Sequence, residues 1–257
     1  MNEQKIKDTV RRKYGQIVKN QSCCGTGWCS SGDMRYTMQE DYSYLKGYER
    51  IADYGLGCGL PTEFAKIRKG DTVIDLGSGA GNDCFVARAL TGKTGQVIGI
   101  DFTPEMVEKA KSNASALGYS NVIFHKGDIE NMPLPDQMAD VVISNCVLNL
   151  LPSKDKIFHE IFRVLKPGGH LCISDVVLIG ELPAVLKEDV EFYTGCISGA
   201  IQKDRYLGYI TKAGFTQVAV RKENEIVLPD NVAEPYDGAF TILSITVTGE
   251  KPLDKTM

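Results

Sequence analysis

The sequence predicts an α/β fold built on a mostly parallel sheet with helices on both faces. Three observations carry that expectation. From residue 71 onward, short apolar runs alternate with amphipathic stretches, the rhythm of right-handed β-α-β crossovers. The first apolar run, DTVIDLG, leads directly into the glycine turn GSGAG. The second and third runs each end on an acid, Asp101 and Asp128.

Each element has its own warrant. Residues 3 to 20 show helical spacing with mixed charge, and SCCGTGWCSSGD, residues 22 to 33, reads as a loop rich in Gly, Ser and Cys. TMQEDYSYLKGYERIADYG is expected to be helical, with LGCGLPTEF turning the chain before the next helix. DTVIDLG is the first strand, and NDCFVARAL the helix after the glycine turn. QVIGID is the second strand. Pro104 suits the first turn of the helix through EMVEKAKSNASALG, with Thr103 as N-cap. NVIFHKGD and ADVVISN are the third and fourth strands. Ser153 to Leu165 form a helix stopped by KPGG, and HLCISDVV is the fifth strand. The alternation then breaks. Residues 181 to 202 read as a helical insert after the fifth strand, DRYLGYITKAGF as a further helix, and TQVAVRKENEI and AFTILSITVTGE as two terminal strands. The expected organisation is an N-terminal helical and cysteine-containing segment (1–45), a core (46–180), and the insert with the terminal strands (181–257).

Composition narrows the function. A 257-residue chain can bury a sizeable core. A net charge of −4 argues against a general nucleic-acid binder. No run of 18 apolar residues is present, so no membrane span is expected. The charged N-terminus lacks the apolar stretch of a secretory signal, which points to the cytoplasm. In a reducing compartment the eight cysteines should not form a permanent disulfide framework.

Gly77, Gly79 and Gly81 let main chain approach a ligand closely and leave helix N–H groups facing it. The spacing is G-x-G-x-G, which differs from the dinucleotide fingerprint. Asp101, about 20 residues further on, stands where a carboxylate would accept from ribose hydroxyls. Asp128 stands where an acceptor could meet an adenine amino group, with Ile129 against the ring. DLGSGAG, GIDFTPEM, KGDIENMPLPD and VLKPGGHL together resemble class I S-adenosylmethionine-dependent methyltransferases, over roughly residues 45 to 178. The resemblance implies the Rossmann-like sheet of that family, with the two terminal strands beside the fifth and the last one antiparallel. It also implies S-adenosyl-L-methionine as cofactor. Asp75, Gly77, Ser78, Gly79 and Gly81 would hold its methionine end, Asp101 the ribose, and Asp128 with Ile129 the adenine. Phe102, Met106 and Asn145 would complete that site.

Three cysteines sit where an acceptor would be expected. Cys146 lies in the loop after the fourth strand, and Cys58 in GLGCGLP and Cys196 in TGCISGA are flanked by small residues. Three thiolates suit a thiophilic centre. Zinc usually asks for four ligands and paired C-x-x-C spacing, and no C-x-x-C occurs here. Trivalent arsenic takes three sulfurs in a pyramid and keeps a lone pair, a nucleophile that could point at a sulfonium methyl. Such thiols should be accessible rather than sealed in the core. DYGLGCGLPTEFA, ISNCVLNLL and YTGCISGA narrow the resemblance to arsenite methyltransferases. That likeness implies arsenic on Cys58, Cys146 and Cys196, and a redox role for Cys23 or Cys24 in reducing arsenic after each transfer. The implied partners are arsenite or its thiol conjugates, with thioredoxin or glutathione as reductant. Cys29 matches nothing in the family pattern. Cys84 and Cys172 read as packing residues, and Asn149 either lines the acceptor site or caps a turn. Two competing readings share some of these features: C- or O-methylation of a small organic acceptor, and a non-catalytic metalloid-binding module.

Overall fold

The computed structural model describes residues 3–19, 40–183, 186, 197–228 and 239–253. Seven strands form one sheet in the order β3-β2-β1-β4-β5-β7-β6. They are β1 (Thr72–Leu76), β2 (Gln96–Asp101), β3 (Val122–Lys126), β4 (Ala139–Asn145), β5 (Leu165–Gly180), β6 (Thr216–Glu225) and β7 (Phe240–Glu250). β1 to β5 pair in parallel, and β7 runs antiparallel between β5 and β6. This is the sheet that the resemblance implies, with the expected antiparallel last strand.

Six α-helices surround it: α1 (Glu3–Lys19), α2 (Pro61–Phe64), α3 (Asn82–Thr91), α4 (Pro104–Ala116), α5 (Lys154–Val164) and α6 (Lys203–Lys212), counting described residues only. Strand alternation explains why both faces are covered, because successive side chains point to opposite sides. Ile74, Leu76 and Val142 pack towards Ile157, Phe158 and Ile161 of α5 and Tyr206 and Ile210 of α6. Val73, Val141 and Ile143 face the other way, towards Phe85 of α3 and Met106, Val107 and Ala110 of α4.

Local expectations mostly hold where the residues are described. Ser153 caps α5, its side chain accepting from the Lys156 N–H. Thr103 stands at the N-cap of α4 but makes no capping bond through its side chain. KPGG ends α5 and already belongs to a β5 longer than expected. The helix expected over TMQEDYSYLKGYERIADYG does not form in its described part. Residues 40–49 are turns, and a single 3-10 turn covers Arg50–Ala52. Side-chain to main-chain bonds compete with the helix there, because Asp41 accepts from the Ser43 N–H and Asp53 from the Gly55 N–H. Gly47 also takes φ +92° with its Cα against the Phe85 carbonyl, a placement closed to a residue with a Cβ. PTEF is itself the short helix α2 rather than part of the expected turn. The insert expected over 181–202 lies mainly outside the described residues, as does the loop 22–33.

Candidate active site

The strand order reverses between β1 and β4, and at such a switch point the carboxyl ends of parallel strands open a crevice. A cleft of about 830 Å³, its open mouth included, lies there. The turn after β1 forms its floor. Gly77 takes φ +68°, and a Cβ at that position would come within 2.4 Å of the Val147 side chain. Main chain therefore lines the cleft where a side chain would fill it. Ser78 Oγ and Asn82 Oδ1 are buried polar atoms with no hydrogen-bond partner among the described residues, and both residues line the cleft. Buried polar groups rarely stay unsatisfied, so these atoms fit a polar ligand.

Asp101 ends β2 at the cleft wall. Its Oδ2 accepts from the Gly79 N–H at 3.0 Å and its Oδ1 from the Thr103 N–H at 2.8 Å. Burial pushes its pKa above the ordinary value, and the N–H bonds from Thr103 and Gly79 oppose that shift. Asp75 lies deeper. Burial and then the neighbouring Asp83 raise it well above the usual carboxylate range, against the thiol of Cys84, which donates to its Oδ2 at 3.1 Å. Phe102, Met106 and Asn145 line the same space. Gly77, Ser78, Gly79, Asp101 and Asn145 thus come together as the sequence suggested, whereas Gly81 caps α3 against Phe85 and Phe124 and does not line the cleft. Asp128 and Ile129 do not join them. The Asp128 carboxylate pairs with Lys7 of α1 at 2.6 Å and accepts from the Glu130 N–H, while Ile129 packs in the core on the α5 side.

A buried polar set ties this cleft to Cys58. The Tyr42 hydroxyl donates to Asp83 at 3.0 Å. Asn145 Nδ2 approaches Tyr42 Oη at 2.5 Å, Gly59 O at 2.8 Å and Asp83 Oδ2 at 3.2 Å. Its Oδ1 accepts the Cys58 N–H at 3.0 Å, across 87 positions of sequence. The Ser244 hydroxyl donates to the Cys58 carbonyl. The glycines on either side of Cys58 have a steric reason: a Cβ on Gly57 would lie 2.7 Å from Asn145 Nδ2, and one on Gly59 2.6 Å from Ser174 Oγ. Burial raises the pKa of Asp83, opposed by the bonds from Asn145 and Tyr42.

Cys146 directly follows Asn145 and lines the cleft. It holds φ +58°, a left-handed conformation uncommon outside glycine, and its N–H donates to Ser174 O at 2.8 Å. The strand ends there because the backbone turns over at this residue. Cys58 and Cys146 share one apolar cluster with Val10, Leu150 and Ile197. They are 1 % and 2 % exposed, so the thiols are covered more fully than the sequence reading expected. Val10 and Tyr14 of α1 also line the cleft. Cys196, Cys23, Cys24 and Cys29 lie outside the described residues. Tyr42, Asp83 and α1 were not anticipated as site components. The apolar spacing of Ile6, Val10, Tyr14 and Ile17 on a helix of mixed charge was the available signal for α1.

A family model described as a methyltransferase domain matches residues 67–214. The arsenite methyltransferase of Halobacterium salinarum is 38% identical, over 97% of this chain and 67% of its own length. The human arsenite methyltransferase is 31% identical, over 96% of this chain and 68% of its own. The crystal structure of an arsenic(III) S-adenosylmethionine methyltransferase from Chlamydomonas reinhardtii superposes with a TM-score of 0.68 at 36% identity, covering 78% of this chain and 69% of that one. By fold, by cleft and by these likenesses, the chain belongs to the arsenite methyltransferases, a family of class I S-adenosylmethionine-dependent enzymes.

Proposed function

We propose that this enzyme methylates trivalent arsenic held by the thiolates of Cys58, Cys146 and Cys196. S-adenosylmethionine-dependent methylation of arsenic follows from the family; the thiolate site and the steps below are our reading. One observation carries it: Asn145 fastens the Cys58 main chain beside Cys146 at the edge of the cofactor cleft. Two thiols far apart in sequence thereby share one corner. Support for Cys196 comes from its neighbour Ile197, fully buried in the cluster that contains Cys58 and Cys146.

When bound, S-adenosylmethionine supplies a methyl group on a positively charged sulfur. The glycine turn and Asp101 would hold it, with Ser78 and Asn82 offering buried polar atoms to its methionine end. Asp128 is proposed to reach the adenine, exchanging its Lys7 partner for the base. The three thiolates hold arsenic so that its lone pair faces the methyl, which is an orientation effect. The chemistry the cofactor would supply is a methyl transfer, in which an arsenic–carbon bond would form as the carbon–sulfur bond gave its electrons to the cofactor sulfur. The lone pair carries no proton, so no general base is needed. Arsenic rises from the trivalent to the pentavalent state in the transfer. A dithiol then returns two electrons and becomes a disulfide, a part we assign to Cys23 or Cys24 with a second cysteine. Thioredoxin or glutathione would restore the thiols. We place the reaction in the cytoplasm. Among the described residues no helix is long and apolar enough to cross a membrane.

Arsenic speciation after incubation with arsenite, S-adenosylmethionine and a dithiol tests the reading. Parent enzyme should yield methylated arsenic, and Cys146→Ser should yield none while binding the cofactor normally. Product from Cys146→Ser at the parent rate would refute the thiolate site. Transfer to a small organic acceptor would instead tolerate loss of Cys58, and a pure binding module would give no product.

A further inference from the structure

Cys146 is followed by a 3-10 turn, Leu148–Leu150. Asn149 lies inside this turn, is fully buried, and does not line the cofactor cleft. Its Nδ2 donates to Asp175 Oδ1 at 2.9 Å and to Val176 O at 2.5 Å. Asp175 Oδ1 also accepts from the Val176 N–H at 2.9 Å, and its Oδ2 accepts from the Tyr206 hydroxyl at 3.1 Å. Tyr206 is itself fixed edge-on against Phe158, with ring centroids 5.6 Å apart. All three polar side chains have no exposed surface.

We propose that Asp175 is a positioning residue for the arsenic site, acting through Asn149 to hold the Cys146 turn against β5 at Ser174–Val176. Two fastenings bracket the thiol. Upstream, the Cys146 N–H is bonded to Ser174 O; downstream, Asn149 is bonded to Asp175 and Val176. Between them the backbone of Cys146 is kept left-handed, a conformation that persists only where its surroundings enforce it. Without the downstream fastening, the turn is free to relax towards extended backbone and carry the sulfur away from Cys58. Asn149 also meets the far side of the cluster. Its carbonyl lies so close to Gly199 that a Cβ there would sit 2.0 Å from the oxygen. Through its side-chain amide Asn149 therefore ties the Cys146 turn to β5, and through its main-chain carbonyl it packs that turn against the segment from Ile197 to Ala200.

The inference rests on the reading that Cys146 holds arsenic, and the experiment separates the two. Arsenite binding by equilibrium dialysis, S-adenosylmethionine binding by calorimetry, and steady-state constants for both substrates are measured on the full chain. Asp175→Ala and Asn149→Ala should raise the arsenite KM about tenfold or more, with cofactor affinity within about twofold of the parent. Asp175→Asn keeps an acceptor for Asn149 and Val176 and can donate to the tyrosine oxygen, so it should recover most of the arsenite affinity. If Asp175→Ala is not obtained folded, Asn149→Ala and the milder Tyr206→Phe provide the same comparison. An unchanged arsenite KM in Asn149→Ala would overturn the clamp, as would equal losses for both substrates. Asp175→Asn as damaging as Asp175→Ala would assign the carboxylate a charge role and overturn it too. Arsenite binding by Cys146→Ser at parent affinity would remove the thiolate reading itself; loss in Cys146→Ser with no loss in Asn149→Ala would remove only the clamp.

Discussion

Asp101 and Asp175 are both buried carboxylates, yet they are held for different ends. Asp101 keeps two main-chain donors, from Gly79 and Thr103, and still lines the cleft, so it remains an acceptor for a ligand. Asp101→Ala should weaken S-adenosylmethionine binding by roughly tenfold to a hundredfold, since a lost charge-assisted hydrogen bond is worth about 1.5–3 kcal/mol. Arsenite binding by the same variant should persist, as dialysis without cofactor can establish. Asp175 is pushed up to about 6 by burial, a shift opposed by the Val176 N–H, by Lys154 and by the bonds from Tyr206 and Asn149. Its folded pKa lies above the ordinary aspartate value of about 3.9. The folded protein therefore holds the proton more tightly than the unfolded chain does. The stabilising linkage is complete below about pH 4 and is lost as pH rises through about 6. Two pK units correspond to roughly 3 kcal/mol, so Asp175→Asn should gain melting temperature relative to the parent at pH 7 and lose that advantage near pH 4. A variant destabilised equally at both pH values would contradict this account. Combined with the kinetic expectation, a more stable protein with near-normal arsenite affinity is the signature of positioning without charge.

The elements show which parts of the site a sequence makes legible. The glycine turn and Asp101 were readable because local pattern determines them: a buried strand, glycines where main chain must meet a ligand, and an acid at the next strand end. Cys146 was readable as the end of a strand, and its left-handed backbone explains why the strand stops there. The Tyr42–Asp83–Asn145 set was not readable, because it joins a turn, a helix and a strand end whose proximity exists only after folding. The stretch around Tyr42 looked helical by composition, but Asx-type turns and Gly47 won over propensity there. Asp128 stood at a strand end as expected, but the same pattern could not reveal that Lys7 of α1 would take its carboxylate. Two glycine substitutions test element placement. Gly77→Ala would drive a Cβ into the Val147 side chain at a positive φ, and should reduce cofactor affinity at least tenfold with the sheet intact by circular dichroism. Gly199→Ala would meet the Asn149 carbonyl, and should impair arsenite binding while sparing cofactor binding. Parent-like arsenite affinity in Gly199→Ala would show that the two segments are not held in register.

The whole molecule divides its work along the sheet. The turns after β1 and β2 line the side of the cleft where we place the cofactor, and the turn after β4, bonded to β5 at Ser174 and Asp175, lines the side where we place arsenic. Asn145 bridges them. Ligand binding to the folded state alone should stabilise the chain by about 2.7 kcal/mol at a hundredfold excess over Kd. For a chain of this size that is a rise in melting temperature of roughly 5–10 °C. Asp101→Ala should show little of that rise, and Cys146→Ser should show all of it. Arsenic X-ray absorption on the arsenite-loaded enzyme reads the proposed thiolate site itself. The spectrum should show three sulfur neighbours and no oxygen in the parent, with one sulfur lost in each of Cys58→Ser and Cys146→Ser. An oxygen-rich shell in the parent, or a shell unchanged by either substitution, would contradict that site.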